Sequence, residues 1–171
     1  IANDNVTIKV KRGQVHSIVG ENGAGKSTLM NIAFGLLQQD EGDIILNGEK
    51  VNFRSPLDAI NKGIGMIHQH FMLIPTMTVL DNIILGYETG SIKLDRKKSK
   101  EDLKYLFKGM GLSEDLMDVK VSELTVGIQQ KIEIIKALYR KAELIIFDEP
   151  TAVLTPQEIT EFFVLVEDLI K

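Results

Sequence analysis

The run Gly20-Glu21-Asn22-Gly23-Ala24-Gly25-Lys26-Ser27-Thr28 constrains this chain more than any other stretch. Gln14 to Val19 precedes it as a strand candidate, and a helix-forming stretch to about Leu37 follows. That strand-loop-helix setting makes a Gly-x-x-x-x-Gly-Lys-Ser pattern a phosphate-binding (Walker A) loop. Glycines let the backbone curl until successive N–H groups converge on phosphate oxygens, and the helix N-terminus behind the loop adds partial positive charge. Lys26 is placed to reach the β- and γ-phosphates of a nucleotide. The Ser27 hydroxyl suits Mg²⁺, a hard cation that takes oxygen. A turn that only joined a strand to a helix would have no use for the Lys-Ser pair.

The rest of the chain reads as α/β. Val6 to Val10 and Gln14 to Val19, separated by Gly13, predict two short strands. Asn47-Gly48, a strong type I′ turn dipeptide, sits between Asp43-Ile44-Ile45-Leu46 and Val51-Asn52-Phe53 and predicts a hairpin. Ile64 to Ile67 is a short buried strand candidate. From Phe71 to Arg140 the pattern is mainly helical: Leu103, Leu106, Phe107 and Met110 share one face, as do Ile128, Ile132, Ile135 and Tyr139. Thr155-Pro156-Gln157-Glu158 combines a Thr N-cap, Pro at the first helical position and Glu at the third. The helix it starts is expected to turn Ile159, Phe162, Phe163 and Val166 inward. One domain over 1–171 is expected, with a nucleotide-binding core and antiparallel β subdomain in 1–70 and 141–171 and a helical subdomain in 71–140.

Leu144-Ile145-Ile146-Phe147 is a continuous apolar run, expected as a central buried strand, and it ends in Asp148-Glu149-Pro150. Two adjacent carboxylates at such a strand end fit a Walker B role: Asp148 to hold the Mg²⁺ shell, Glu149 to polarise an attacking water as general base. An acidic turn alone would say little, but the phosphate loop upstream gives it a partner.

With those two motifs in place, the whole chain resembles the ABC (ATP-binding cassette) ATPase family, because two further motifs follow in that family's order. Gln69, in Ile67-His68-Gln69-His70, is similar to the Q-loop glutamine, which the resemblance assigns to Mg²⁺ or its water. Leu124-Thr125-Val126-Gly127-Ile128-Gln129 stands where the family has its signature, with Thr125 for Ser, Val126 for the first Gly and Ile128 for Gln. The resemblance implies that Thr125, Val126, Gly127, Ile128 and Gln129 act in trans on the γ-phosphate of a second cassette. Thr151 to Thr155 occupies the D-loop position, ending in Thr where Asp is usual. These variants resemble the subgroup serving monosaccharide and nucleoside importers, whose ATPase chains carry two cassettes in tandem, with a lean toward the nucleoside branch. The implied fold is the P-loop core with β subdomain and helical insertion, truncated at both ends: the adenine-stacking aromatic is expected before Ile1 and the switch histidine after Lys171. Implied cofactors are ATP and Mg²⁺. Implied partners are transmembrane permease subunits, a second cassette and, indirectly, an extracytoplasmic solute-binding protein, with the cassette peripheral on the cytoplasmic face of the membrane.

Composition narrows the remaining classes. Lys plus Arg number 20 against 24 Asp plus Glu, a net charge of −4, so no bulk positive field holds a polyanion, and nucleic acid is not an expected partner. The absence of cysteine excludes disulfides and thiolate metal sites. No segment approaches the ~20 apolar residues of a membrane span. A soluble ABC ATPase acting on nucleic acid or the ribosome would carry basic or coiled-coil insertions, and none is present. A small-molecule phosphotransferase would need neither Glu149 nor the Thr125 region. His68 and His70 suggest a transition metal but lack a third ligand nearby, and Arg96-Lys97-Lys98 reads as a solvated helix start. Phe71 to Pro75 reads as core or as a surface for a membrane partner.

Overall fold

A computed structural model describes residues 1–87, 95–152 and 154–170. Val153 of the D-loop segment, Lys171 and residues 88–94 of the helical region lie outside the described residues.

The phosphate loop runs into α1 (Lys26–Ala33). This helix stops four residues short of the expected Leu37. Gly35 adopts φ 77°, the Gly35 N–H donates to Ile32 O at 3.0 Å, and the Leu36 N–H donates to Asn31 O at 2.8 Å. That pair of bonds is a Schellman ending, which satisfies the last carbonyls and turns the chain away. The hairpin forms as expected. β1 (Ile44–Leu46) pairs antiparallel with β2 (Glu49–Val51), Leu46 opposite Glu49. Asn47 and Gly48 take φ 52° and 85°, the two left-handed residues that a type I′ turn requires.

After α2 (Pro56–Asn61), β3 (Ile64–Ile67) lies parallel to β4 (Leu144–Phe147), in register from Ile64–Leu144 to Ile67–Phe147. Strand alternation sends the side chains of this two-stranded sheet into different cores. Ile64, Met66, Leu144 and Ile146 pack with Phe34, Phe53 and Ala59 beneath α1 and the hairpin. Ile67, Ile145 and Phe147 pack with the helices. β4 is less central than expected: only Ile146 is buried outright, because the described sheet flanks β4 on one edge alone. The two predicted N-terminal strands do not form. Residues 1–20 carry no strand, and Val19 is 92% exposed. A strand exists only where a neighbour satisfies its N–H and C=O groups, and no described segment pairs with this one.

The helical region comprises α3 (Val79–Ile84), α4 (Arg96–Gly109), two short 3₁₀ turns (Glu114–Asp118 and Val121–Glu123) and α5 (Val126–Tyr139). Leu103, Phe107 and Met110 are buried, as their spacing predicts, and Leu106 packs partly buried against them. Asp95 caps α4 by accepting from the Lys98 N–H at 3.0 Å, and Arg96 pairs with Asp81. The basic run therefore sits at a solvated helix start. α5 buries Ile132 and Ile135 as expected, but also Ile134, Gln130 and Glu133, because it lies between the sheet and the other helices.

α6 (Pro156–Leu169) begins with the predicted capping box. Its inward face differs from the expected one: Phe162 is buried, while Phe163 is 54% exposed. Val166 packs with Phe162 against the core as expected, and Leu165 and Leu169 join them there, so the apolar stripe continues along 165 and 169 and leaves out 163.

Candidate active site

The phosphate loop closes on its own lysine. Lys26 Nζ donates to Gly20 O and Glu21 O, both at 2.8 Å, and the Ala24 N–H donates to Glu21 O at 3.2 Å. Gly25 adopts φ 83°, and a Cβ there would lie 2.4 Å from Ala2 O. Neither the conformation nor the space admits a side chain, so Gly25 is obligatory at the step into α1. Residues 21–24 stay exposed, leaving the concave face of the loop open.

Ser27 Oγ donates to Asp148 Oδ1 at 3.2 Å across 121 residues. The approach follows from the sheet. The Asp148 N–H donates to Ile67 O at 3.0 Å, which extends the β3–β4 ladder one residue and presents the carboxylate at the strand end beside α1. A hydroxyl and a carboxylate in contact beneath a phosphate loop are the hard-oxygen donors that Mg²⁺ takes alongside phosphate and water, so these residues fit the ion. Ser27→Ala is expected to raise the Mg²⁺ concentration for half-maximal hydrolysis about tenfold in a metal titration, with metal-free ATP binding unchanged.

Glu149 is exposed and holds φ 49°; its carbonyl accepts from the Ala152 N–H at 3.2 Å, and its carboxylate makes no hydrogen bond among the described residues. A left-handed glutamate is strained, and here it breaks the strand direction between two neighbouring carboxylates. Gln69 lies two residues past β3, exposed, beside the end of β4. It makes no hydrogen bond to Ser27 or Asp148. His68, next to it, packs its ring edge-on against Phe34 at 6.1 Å.

Thr125 caps α5, its Oγ1 accepting from the Ile128 N–H at 3.4 Å, and Thr125 and Val126 are exposed. Gln129 turns its amide inward, donating to Leu124 O at 3.0 Å. Sequence reasoning missed the part played by two residues of this neighbourhood. Gln130, 4% exposed, donates to Pro150 O at 2.7 Å, directly behind Glu149. Glu158 accepts from the Gly127 N–H at 3.2 Å and from the Thr155 N–H at 2.9 Å. Those bonds hold its carboxyl below the ordinary range, the Thr155 backbone bond contributing most. Its place in the capping box was legible, and that local role concealed the distant one.

Buried Glu133 accepts from the Met72 N–H at 2.8 Å. Lys136 reaches Met72 O at 3.5 Å, and burial pushes its ammonium down despite Glu133. Asn82 binds both the N–H and the C=O of Ile74, at 2.6 and 3.0 Å. The segment after Gln69 is thus held to α5 and α3 by side chains, with Leu73 buried and Met72 and Ile74 exposed. Glu133→Ala strands the Met72 N–H and is expected to cost about 2–3 kcal/mol, read from the urea midpoint, whereas Glu133→Gln keeps an acceptor and costs less.

A phosphate loop, a strand-end Asp in contact with the loop serine and a helical layer on the same sheet define a P-loop nucleotide-binding domain of the cassette type. The chain belongs to the ABC transporter family, whose domain model matches residues 3–152. It is 49% identical to the guanosine import ATP-binding protein NupO of Bacillus subtilis (strain 168), over 100% of this chain and 34% of that protein. It is 52% identical to the nucleoside import ATP-binding protein NupA of Lactococcus lactis subsp. cremoris, again over 100% of this chain and 34% of that protein. The chain therefore spans about a third of the length of these relatives. Its fold superposes with a TM-score of 0.86 on the ADP conformation of an ATP-binding cassette of an ABC transporter, 30% identical, covering 99% of this chain and 70% of that one.

Proposed function

We propose that this chain is the ATP-hydrolysing cassette of an importer, carrying nucleosides or simple sugars through partner membrane subunits. The observation that carries the reading is the Ser27–Asp148 contact. It joins the phosphate loop to the acidic strand end that carries Glu149, the candidate base. Names of relatives that import guanosine and nucleosides support the solute class. In this reading the path for solute belongs to permease subunits, with the cassette peripheral on the cytoplasmic side; among the described residues no helix is long and apolar enough to cross a membrane. A solute-binding protein outside the membrane would deliver the cargo.

In this reading the loop N–H groups of 21–28 and Lys26 bind the phosphates. Ser27, Asp148 and Gln69 would hold Mg²⁺, which would offset charge on the phosphates. Glu149 orients a water and accepts its proton as the water oxygen bonds to the γ-phosphorus. The bond to the β–γ bridging oxygen breaks, leaving ADP and phosphate. Thr125, Gly127 and the start of α5 cap the γ-phosphate of a second cassette, with Val126, Ile128 and Gln129 shaping that cap. Met72 and Ile74, exposed on a pinned segment, offer the apolar contact for a permease.

Uptake of labelled nucleosides and monosaccharides tests the reading, comparing cells with the full-length protein intact and cells carrying Glu149→Gln. Loss of uptake of one solute class in the variant is expected. Undiminished uptake of every solute would refute the importer role.

A further inference from the structure

The contacts of Glu158 reach beyond capping. One carboxylate oxygen accepts from the Thr155 N–H and Thr155 Oγ1, both at 2.9 Å, inside the capping box. The other reaches 31 residues back to the Gly127 N–H at 3.2 Å. Gly127 is the residue of the signature segment that has no side chain, and the structure gives a reason: a Cβ there would lie 2.6 Å from Glu158 Oε1. Its φ is not in the left-handed range, so space and not conformation is what a side chain would violate. The obstacle is the tip of a flexible side chain, so a Cβ would displace the carboxylate and break its bond to Gly127. Three residues further along α5, Gln130 holds Pro150 O at 2.7 Å. Two side-chain ties thus join the start of α5 to the stretch after β4, one on Pro150 beside Glu149 and one on the Thr155 turn.

We propose that Glu158 is a positioning residue that fixes the Thr125–Gln129 segment relative to Asp148 and Glu149. Resting on the ATPase reading above, this makes the segment that caps the partner cassette's phosphate and the carboxylates acting on this chain's own nucleotide move as one body. Glu158 touches no nucleotide. It acts through Gly127, and the bond is charge-assisted, which gives it more hold than a neutral one.

The test compares Glu158→Ala, Gly127→Ala and the double variant in the full-length protein, measuring kcat, KM for ATP and ATP binding in parallel. Glu158→Ala is expected to lower kcat about tenfold with ATP affinity within about twofold of wild type, since the phosphate loop is untouched. Gly127→Ala is expected to lower kcat at least as far, since it expels the carboxylate and also alters the cap on the second cassette's phosphate, and the double variant to be no worse than Gly127→Ala alone, because both break the one contact with Glu158. Glu158→Gln, which keeps one acceptor oxygen, should fall between Glu158→Ala and wild type. Unchanged kcat in Glu158→Ala, multiplied losses in the double variant, or ATP affinity falling in step with kcat would each overturn the proposal. Should the wild type bind ATP without turnover, the ATPase reading fails on its own, and hydrogen exchange at the Gly127 amide decides the tie. Protection lost in Glu158→Ala without a change in global stability sustains it, and unchanged protection removes it.

Discussion

Glu149→Gln in the full-length protein is expected to keep ATP and to lose hydrolysis by about 10²–10⁴-fold. The substitution preserves size and the left-handed turn at φ 49°, so the Ser27–Asp148 contact on the neighbouring residue stays in place. What disappears is the basicity that the proposed mechanism uses to accept the water's proton. The side chain is exposed and makes no hydrogen bond among the described residues, so no packing is disturbed. Fluorescent-nucleotide binding alongside steady-state phosphate release separates the two effects. Turnover at the wild-type rate would show that Glu149 is not the base, and loss of binding would show that the variant has altered the site itself.

Lys26→Ala is expected to weaken ATP binding by about 10²-fold, equivalent to ~3 kcal/mol for charge-assisted hydrogen bonds to phosphate. In the structure Lys26 Nζ bridges Gly20 O and Glu21 O at 2.8 Å each, which holds the ammonium over the concave face of the loop. Removing it takes away that charge, and the two carbonyls turn to water because the loop is exposed. The fold should therefore survive, with an unchanged circular dichroism spectrum, while calorimetric titration with ATP shows the loss. Lys26→Arg should not restore affinity, since a planar fork cannot take the place of a compact ammonium between two carbonyls. Binding unaffected by Lys26→Ala would remove this residue from the phosphate site.

The parts of the site that were legible in the sequence are those written in contiguous residues. Gly20 to Thr28 specifies a loop through glycines and a lysine within six residues of the carbonyls it bonds. Asn47-Gly48 specifies a turn through two left-handed conformations, and Thr155 to Glu158 a helix start through reciprocal bonds three residues apart. The N-terminal strands misled for the complementary reason: Val6 to Val10 and Gln14 to Val19 have strand composition, but strand formation depends on a neighbour that no local pattern contains. Phe163 misled because 159, 162, 163 and 166 and the stripe through 162, 165, 166 and 169 are both helical spacings. Only the position of the core decides between them.

The sequence by itself determined the local chemistry of this cassette: a phosphate loop, a pair of strand-end carboxylates, a hairpin turn and the helix caps, each encoded by backbone preferences over a few adjacent residues. Tertiary structure alone decided which of those pieces meet. The parallel register of β3 on β4 carries Asp148 to Ser27, the burial of α5 sets Gln130 against Pro150 and Glu133 against Met72, and the placement of α6 brings Glu158 to Gly127. Those contacts span 20 to 121 residues. They form because packed apolar faces bring the segments together, and the polar groups enclosed with them must then find partners.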